Sequence, residues 1–213
     1  MPVFKSGEGN APGWCELEDF ELIHLSPDVP AQVERKREKE VFLVCQGRIN
    51  LVSDKSDCNF MPGGWINLRD NADGPVQLRA LYTDALVFRA IGRWSSVTSA
   101  GLFDVWTTTP PDFDTPCDYK KTTRFDNHYH DFDEYWVVYE GEATVASEGK
   151  LYEVGPGDCI ATGMGWHHDV VSLKDDEKKM HAVYFESGLE AQGRTGHLWE
   201  PKHGKAEPQL DRV

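Results

Sequence analysis

No run of apolar residues in this 213-residue chain approaches the roughly 20 that a helix needs to cross a bilayer. The first ten residues, Met1 to Asn10, are polar and glycine-containing and carry no apolar h-region, so the sequence predicts no signal peptide. Cysteine is sparse: the five present (Cys15, Cys45, Cys58, Cys117, Cys159) are odd in number, widely spaced and form no CxxC pair. That argues against a disulfide framework and predicts a cytoplasmic protein with reduced thiols. Basic residues are also short, 22 against 36 acidic ones, for a net charge of −14. Such a chain has little with which to neutralise phosphates, which excludes nucleic acid and anionic membrane surfaces as expected partners. What remains is an ordinary soluble globular composition, 39% hydrophobic and 27% charged, long enough for one substantial core or two small ones.

Histidine, in contrast, is concentrated where chemistry can use it. The run His128-Tyr129-His130-Asp131-Phe132-Asp133-Glu134 is followed, 34 residues after Glu134, by His168 at the end of Gly165-Trp166-His167-His168. On an extended chain, histidines at i and i+2 point to the same face. A carboxylate just past a short turn and a third imidazole from a distant strand can complete one coordination sphere. Three imidazoles and a carboxylate suit one divalent transition metal (Fe, Mn, Zn, Ni or Co) and suit Ca or Mg poorly. Strand parity selects His168 over His167 as the third imidazole. Purely structural zinc sites favour closed, cysteine-rich sets, so this set, with positions left open, is read as functional.

The spacing resembles the first motif of the cupin family: HxH, three residues, Glu, six residues, Gly, here His128, His130, Glu134 and Gly141. The second motif is similar to Gly157-Asp158-Cys159-Ile160-Ala161-Thr162-Gly163-Met164-Gly165-Trp166-His167-His168, whose last residue holds the place of the family's third histidine. Thr122 stands where a glycine opens the first motif, and Gly163 replaces the proline of the second. The resemblance implies an all-β, double-stranded β-helix or jelly-roll barrel, a metal on those four residues, a small-molecule substrate and a possible homodimer.

A weak internal repeat runs through the chain at an offset of 94 residues. Glu40-Val41-Phe42-Leu43-Val44-Cys45-Gln46-Gly47 aligns with Glu134-Tyr135-Trp136-Val137-Val138-Tyr139-Glu140-Gly141, and Met61-Pro62-Gly63 with Gly155-Pro156-Gly157. That period is about right for a duplicated domain and too long for a solenoid. Two barrels are therefore expected, a bicupin: a degenerate one in residues 1–97 and a metal-binding one in residues 98–213. Ser95 to Gly101 reads as a polar linker, and Pro110-Pro111 and Pro116 mark an irregular approach to the second barrel. Short β-branched and aromatic runs, bounded by glycine and proline turns, predict strands in both halves. Pro30 to Glu40 has a helix-like composition, but the repeat assigns it to a strand and turn. At the constant offset, Glu34, Lys36 and Gly74 stand in the places of His128, His130 and His168, and only Glu40 survives. The first barrel is expected to be metal-free.

Around the metal, parity places Trp136 and Trp166 as candidate pocket walls, and Asp126 as a candidate hydrogen-bond partner of a ligand imidazole. Asp131 and Asp133 read as solvated turn residues, and Cys159 as a small core residue. His24, His181, His197 and His203 have no spacing argument and read as ordinary core or surface groups. The function expected is a metal-dependent enzyme acting on a small oxygen-rich molecule, with isomerisation of a sugar or sugar acid as the first choice. An Fe(II)-dependent dioxygenase or a non-catalytic small-molecule-binding cupin are the alternatives, and no catalytic residue stands out.

Overall fold

A computed structural model describes residues 2–106, 115–174, 179–188 and 196–213; Pro110-Pro111 lies outside them. Strands are numbered in chain order. β2 (Leu17–Leu25), β9 (Ala85–Gly92), β4 (Lys39–Gln46) and β7 (Trp65–Asn67) form one sheet in the order β2-β9-β4-β7. It faces a second sheet, β3 (Ala31–Val33), β8 (Val76–Ala80), β5 (Ile49–Val52) and β6 (Asp57–Phe60), in the order β3-β8-β5-β6. One helical turn, α1 (Leu68–Asn71), closes the barrel. The chain then repeats itself. β10 (Ser96–Val105), β16 (Met180–Gly188), β11 (Asp133–Glu140) and β14 (Asp158–Thr162) follow the order β10-β16-β11-β14, the counterpart of the first sheet. The facing sheet is β13 (Lys150–Val154), β12 (Ala143–Ser147) and β15 (His168–Leu173), in the order β13-β12-β15. The fold is all-β with two barrels.

Strand register shows the duplication residue by residue. Val41 pairs with Asn67 and Leu43 with Trp65; 94 residues on, Tyr135 pairs with Ala161 and Val137 with Cys159. The hairpin β5–β6 likewise pairs Ile49 with Phe60, as β12–β13 pairs Ala143 with Val154. Gly47 and Gly141 turn the two chains at φ +73 and +81. A Cβ there would sit 2.5 Å from the Asp84 carbonyl oxygen and 2.2 Å from that of Lys179, so both positions demand glycine twice over. The constant offset fails at the third ligand. The β12–β15 pairing, bulged between Thr144 and Val145, sets Val145 against Val170, whereas Leu51 faces Leu78. Register therefore places buried Val76, not Gly74, opposite His168 in the first barrel.

The apolar strands bury both faces because the two barrels share a wall. Val41, Leu43 and Cys45 on β4 pack with Tyr135 and Val137 on β11 in a core between the barrels, together with Phe88, Trp94, Cys159 and Phe185. The alternate residues, Phe42 and Val44 or Trp136 and Val138, fill each barrel's own interior. Gln46 and Glu140, equivalent in the repeat, hydrogen-bond directly at 3.0 Å.

Two expectations need correction. Ser95 to Gly101 is not a linker: residues from Ser96 onward belong to β10, which pairs with β16 along its length and buries Ala100 against the shared core. Small residues suit that position because Tyr184 crosses over Gly101, where a Cβ would lie 2.7 Å from its ring. Strand pairing also crosses the expected boundary at the N-terminus. β1 (Val3–Lys5) pairs with β14 of the second barrel, and Phe4 enters the shared core.

In the first barrel the retained glutamate meets a cation supplied by the chain. Glu40 is fully buried; its Oε2 accepts from Arg89 Nε (2.9 Å) and Nη2 (2.6 Å), and its Oε1 from the backbone N–H of Lys36 and Arg37. Arg89 also reaches Glu21 at 2.8 Å and the Glu34 carbonyl at 2.6 Å. Glu34, Lys36 and Glu40 thus gather around a guanidinium. Breaking a buried pair from one side strands the other charge, so Arg89→Met should lower the unfolding free energy by about 3–5 kcal/mol. Adding Glu40→Leu should restore most of it. Urea unfolding of both proteins checks this, and an undiminished loss in the double variant would contradict it.

Candidate metal centre

The second barrel brings its three motif histidines and its glutamate to one point. His128 and His168 form an antiparallel bridge, with His128 N–H donating to the His168 carbonyl at 3.2 Å and the reverse bond at 2.9 Å. Gly165 N–H donates to the His130 carbonyl at 2.8 Å, fastening the turn before β15 to the first motif. Glu134, the second residue of β11, shares its inward face with Trp136 and Val138. One donor atom from each of His128, His130, Glu134 and His168 lies within 4.8 Å of all the others, and all four residues are buried.

Backbone carbonyls fix the tautomer of every ring. His128 Nδ1 donates to the Asp126 carbonyl (2.8 Å), His130 Nδ1 to that of Gly196 (3.0 Å) and His168 Nδ1 to that of Trp166 (3.2 Å). A carbonyl only accepts, so each neutral ring carries its proton on Nδ1 and turns a bare Nε2 lone pair inward. There His130 Nε2 lies 3.2 Å, and His168 Nε2 2.9 Å, from Glu134 Oε2. His168 Nε2 and Glu134 Oε2 are sealed from solvent with no hydrogen bond to satisfy them. Lone pairs pressed together in this way repel unless a cation lies among them, and the donor set fits a transition metal.

The electrostatics agree. Burial holds the His128 and His168 imidazoles below the ordinary histidine value, so their lone pairs remain available. Burial alone would raise Glu134, but the imidazoles of His130 and His168 beside it hold it well below the usual carboxylate range, so it stays an anionic ligand. His130, opposed by burial but favoured by Glu134 and the Gly196 carbonyl, is raised.

Residues 117–184 match the Cupin_2 family, described as a cupin domain. The whole chain is 40% identical over 215 residues to an uncharacterized Sinorhizobium fredii protein, y4oW, covering 100% of this chain and 97% of that one. The chain belongs to the cupin superfamily. Among solved structures it is similar to hazelnut (Corylus avellana) vicilin, with 13% identity and a TM-score of 0.53 over 90% of this chain and 81% of that one. It is also similar to a mutant of Bacillus subtilis oxalate decarboxylase, with 10% identity and a TM-score of 0.53 over 80% and 69% of the two chains. At such identities these two likenesses concern the fold. No helix among the described residues is long and apolar enough to cross a membrane.

Beside the four candidate ligands lies a cavity of about 220 Å³ lined by Phe103, Phe125, Trp136, Tyr184, Glu186 and His197, with His128 and Glu134 on its inner wall. Trp136 is thus where parity placed it. Trp166 is not: its Nε1 donates to the Gln209 carbonyl, and its ring lines a different groove. Asp126 holds His128 through its carbonyl, and its carboxylate accepts from His197 Nδ1 (3.1 Å) and Trp199 Nε1 (2.5 Å). Asp133, expected in a solvated turn, is buried in β11; it accepts from Met164 N–H at 2.9 Å and lies 3.4 Å from Arg212 Nε.

Sequence reasoning missed His197 and Glu186. His197 stacks on His128 with ring centroids 3.8 Å apart and planes 6° from parallel. Glu186 lies beside Glu134 across the β11–β16 pairing. Nothing in their local sequence announces them, although inward parity on the strand paired with β11 singles out Glu186. Asp126, His128 and His197 form a second acidic-imidazole group, but His197 is 39% exposed and His128 Nδ1 is already held by a carbonyl, so the buried four make the better cation site.

Replacing His130 with alanine should abolish stoichiometric metal binding and leave the barrel folded, whereas His167→Ala should keep the metal, because His167 faces away from the cluster. Elemental analysis with circular dichroism decides; full loading of the His130 variant would refute the ligand set.

Proposed function

We propose that this cupin is a metal-dependent enzyme that moves a proton on a small hydroxy-carbonyl compound of the sugar or sugar-acid class, with His197 as the proton carrier. The observation that carries the reading is the Asp126–His197 pair, whose imidazole lies on the wall of the metal-side cavity. Asp126 accepts from Nδ1 of His197, which fixes the tautomer and leaves Nε2 as the free basic atom. Stacking on His128 holds the ring beside the candidate ligands, and Trp199 pins the carboxylate from behind. Burial, His197, His128 and Trp199 act together on Asp126; despite burial, the imidazoles and the indole hold its carboxyl well below the usual range, so it stays an acceptor.

A metal held by His128, His130, Glu134 and His168 would supply Lewis acidity, polarising the substrate's carbonyl and hydroxyl oxygens. Phe103, Phe125 and Trp136 exclude water and offer ring faces to a sugar. His197 takes the proton from the hydroxyl-bearing carbon and returns it to the former carbonyl carbon, while the hydroxyl proton passes from one substrate oxygen to the other, so that hydroxyl and carbonyl exchange places. At about 220 Å³ the cavity is below the 300–1,000 Å³ typical of drug-sized ligands, which suits a small substrate.

The test is deuterium uptake from D2O into a panel of aldoses, ketoses and sugar acids by metal-loaded protein. His197→Gln should keep its metal and slow exchange by about 10²–10⁴-fold. Unchanged exchange in His197→Gln would remove His197 from the role. Oxygen consumption by the iron-loaded protein, without exchange, would replace this reading with dioxygenase chemistry.

A further inference from the structure

On the outer side of the second barrel lies a groove of about 550 Å³ that shares no lining residue with the metal-side cavity. Glu148, Trp166, His167, Glu200, Tyr119 and Pro208 contribute to its wall. Glu148 and Gly149 form the two-residue turn between β12 and β13, with φ of +54 and +69. Such turns favour asparagine, aspartate or glycine at the first position, so a glutamate there is unusual. Its side chain is spent on the groove. Glu148 is only 9% exposed, and its Oε1 is sealed from solvent with no hydrogen-bond partner among the described residues.

A second polar atom is in the same condition. His167 Nε2 is sealed and unbonded; the nearest carboxylate oxygen, Glu200 Oε1, lies 3.7 Å away and already accepts from Ala206 N–H. Asp118 adds a third carboxylate to the lining, and none of the described lining residues is Lys or Arg. Trp166 is held in place by its bond to the Gln209 carbonyl, and Pro116 and Pro208 extend the apolar wall. A buried carboxylate oxygen without a donor, beside an aromatic ring and under an excess of negative charge, calls for a ligand that brings both hydrogen and positive charge.

We propose that this groove binds a small organic cation, an amine or guanidinium, with its charged head on Glu148 and its body against Trp166. The site is separate from the proposed reaction and does not depend on it. Burial pushes the Glu148 carboxyl up and outweighs Lys150, as befits a carboxylate without a close counter-charge; a bound cation supplies one.

Calorimetric titration of metal-loaded protein with agmatine tests the proposal. Saturable binding with a dissociation constant below about 1 mM is expected, weakened at least tenfold by Glu148→Gln and unaffected by His130→Ala. If Glu148→Gln does not fold, as judged by circular dichroism, Glu200→Gln takes its place and should weaken binding by a smaller factor. Absence of saturation, tenfold-unchanged binding in the folded glutamine variant, loss of binding in folded His130→Ala, or equal affinity for citrate would each overturn it.

Discussion

A buried carboxylate surrounded by bare lone pairs cannot persist without a positive charge beside it, and both halves of this molecule are arranged around that constraint. In the second barrel three imidazoles are locked with their protons on Nδ1, so that Glu134 faces nitrogen lone pairs rather than donors. In the first barrel the equivalent carboxylate, Glu40, faces Arg89 and two backbone N–H groups. One duplicated scaffold thus presents the same glutamate to a guanidinium of the chain in one barrel and to a candidate metal site of four residues in the other. The guanidinium leaves no open position for a substrate; a metal held by the other four residues would leave room for one.

The scaffold matters because Glu134 lies on β11, a strand whose register the shared wall fixes. β11 and β16 are buried on both faces, one against the interior of their own barrel and one against β4 and β9. A slip of one residue would exchange Glu134 for Tyr135 inside the barrel and drive the Glu134 charge into the apolar shared core, so the packing between barrels holds the ligand face in place. β1 adds an outer strand beside β14, extending the same sheet from the opposite end of the chain.

Motif spacing and strand parity made the candidate ligands, Trp136 and the duplicated strands legible in the sequence, because these depend on local periodicity. The exact 94-residue register through the first hairpins follows from turn glycines that tolerate no Cβ. What stayed hidden depends on long-range placement. His197 reaches the site because its neighbour Leu198 bridges to Tyr129 between two of the candidate ligands, a long-range pairing that no periodicity encodes. Trp166 shares parity with His168, yet it precedes β15 in a turn, where alternation no longer governs direction. Ser95 to Gly101 looked like a linker because its residues are small and mostly polar; the passage of Tyr184 over Gly101 is a contact absent from local composition. Arg89 was invisible as a counter-charge because it lies 49 residues from Glu40.

Whether one cation lies among His128, His130, Glu134 and His168 is measured most directly by metal-edge X-ray absorption on the stoichiometrically loaded protein. It should show one metal environment of nitrogen and oxygen at roughly 2.0–2.2 Å, with outer-shell scattering from three imidazoles and no sulfur. A shell containing sulfur, fewer than three imidazoles, or no tightly held metal would contradict the central claim.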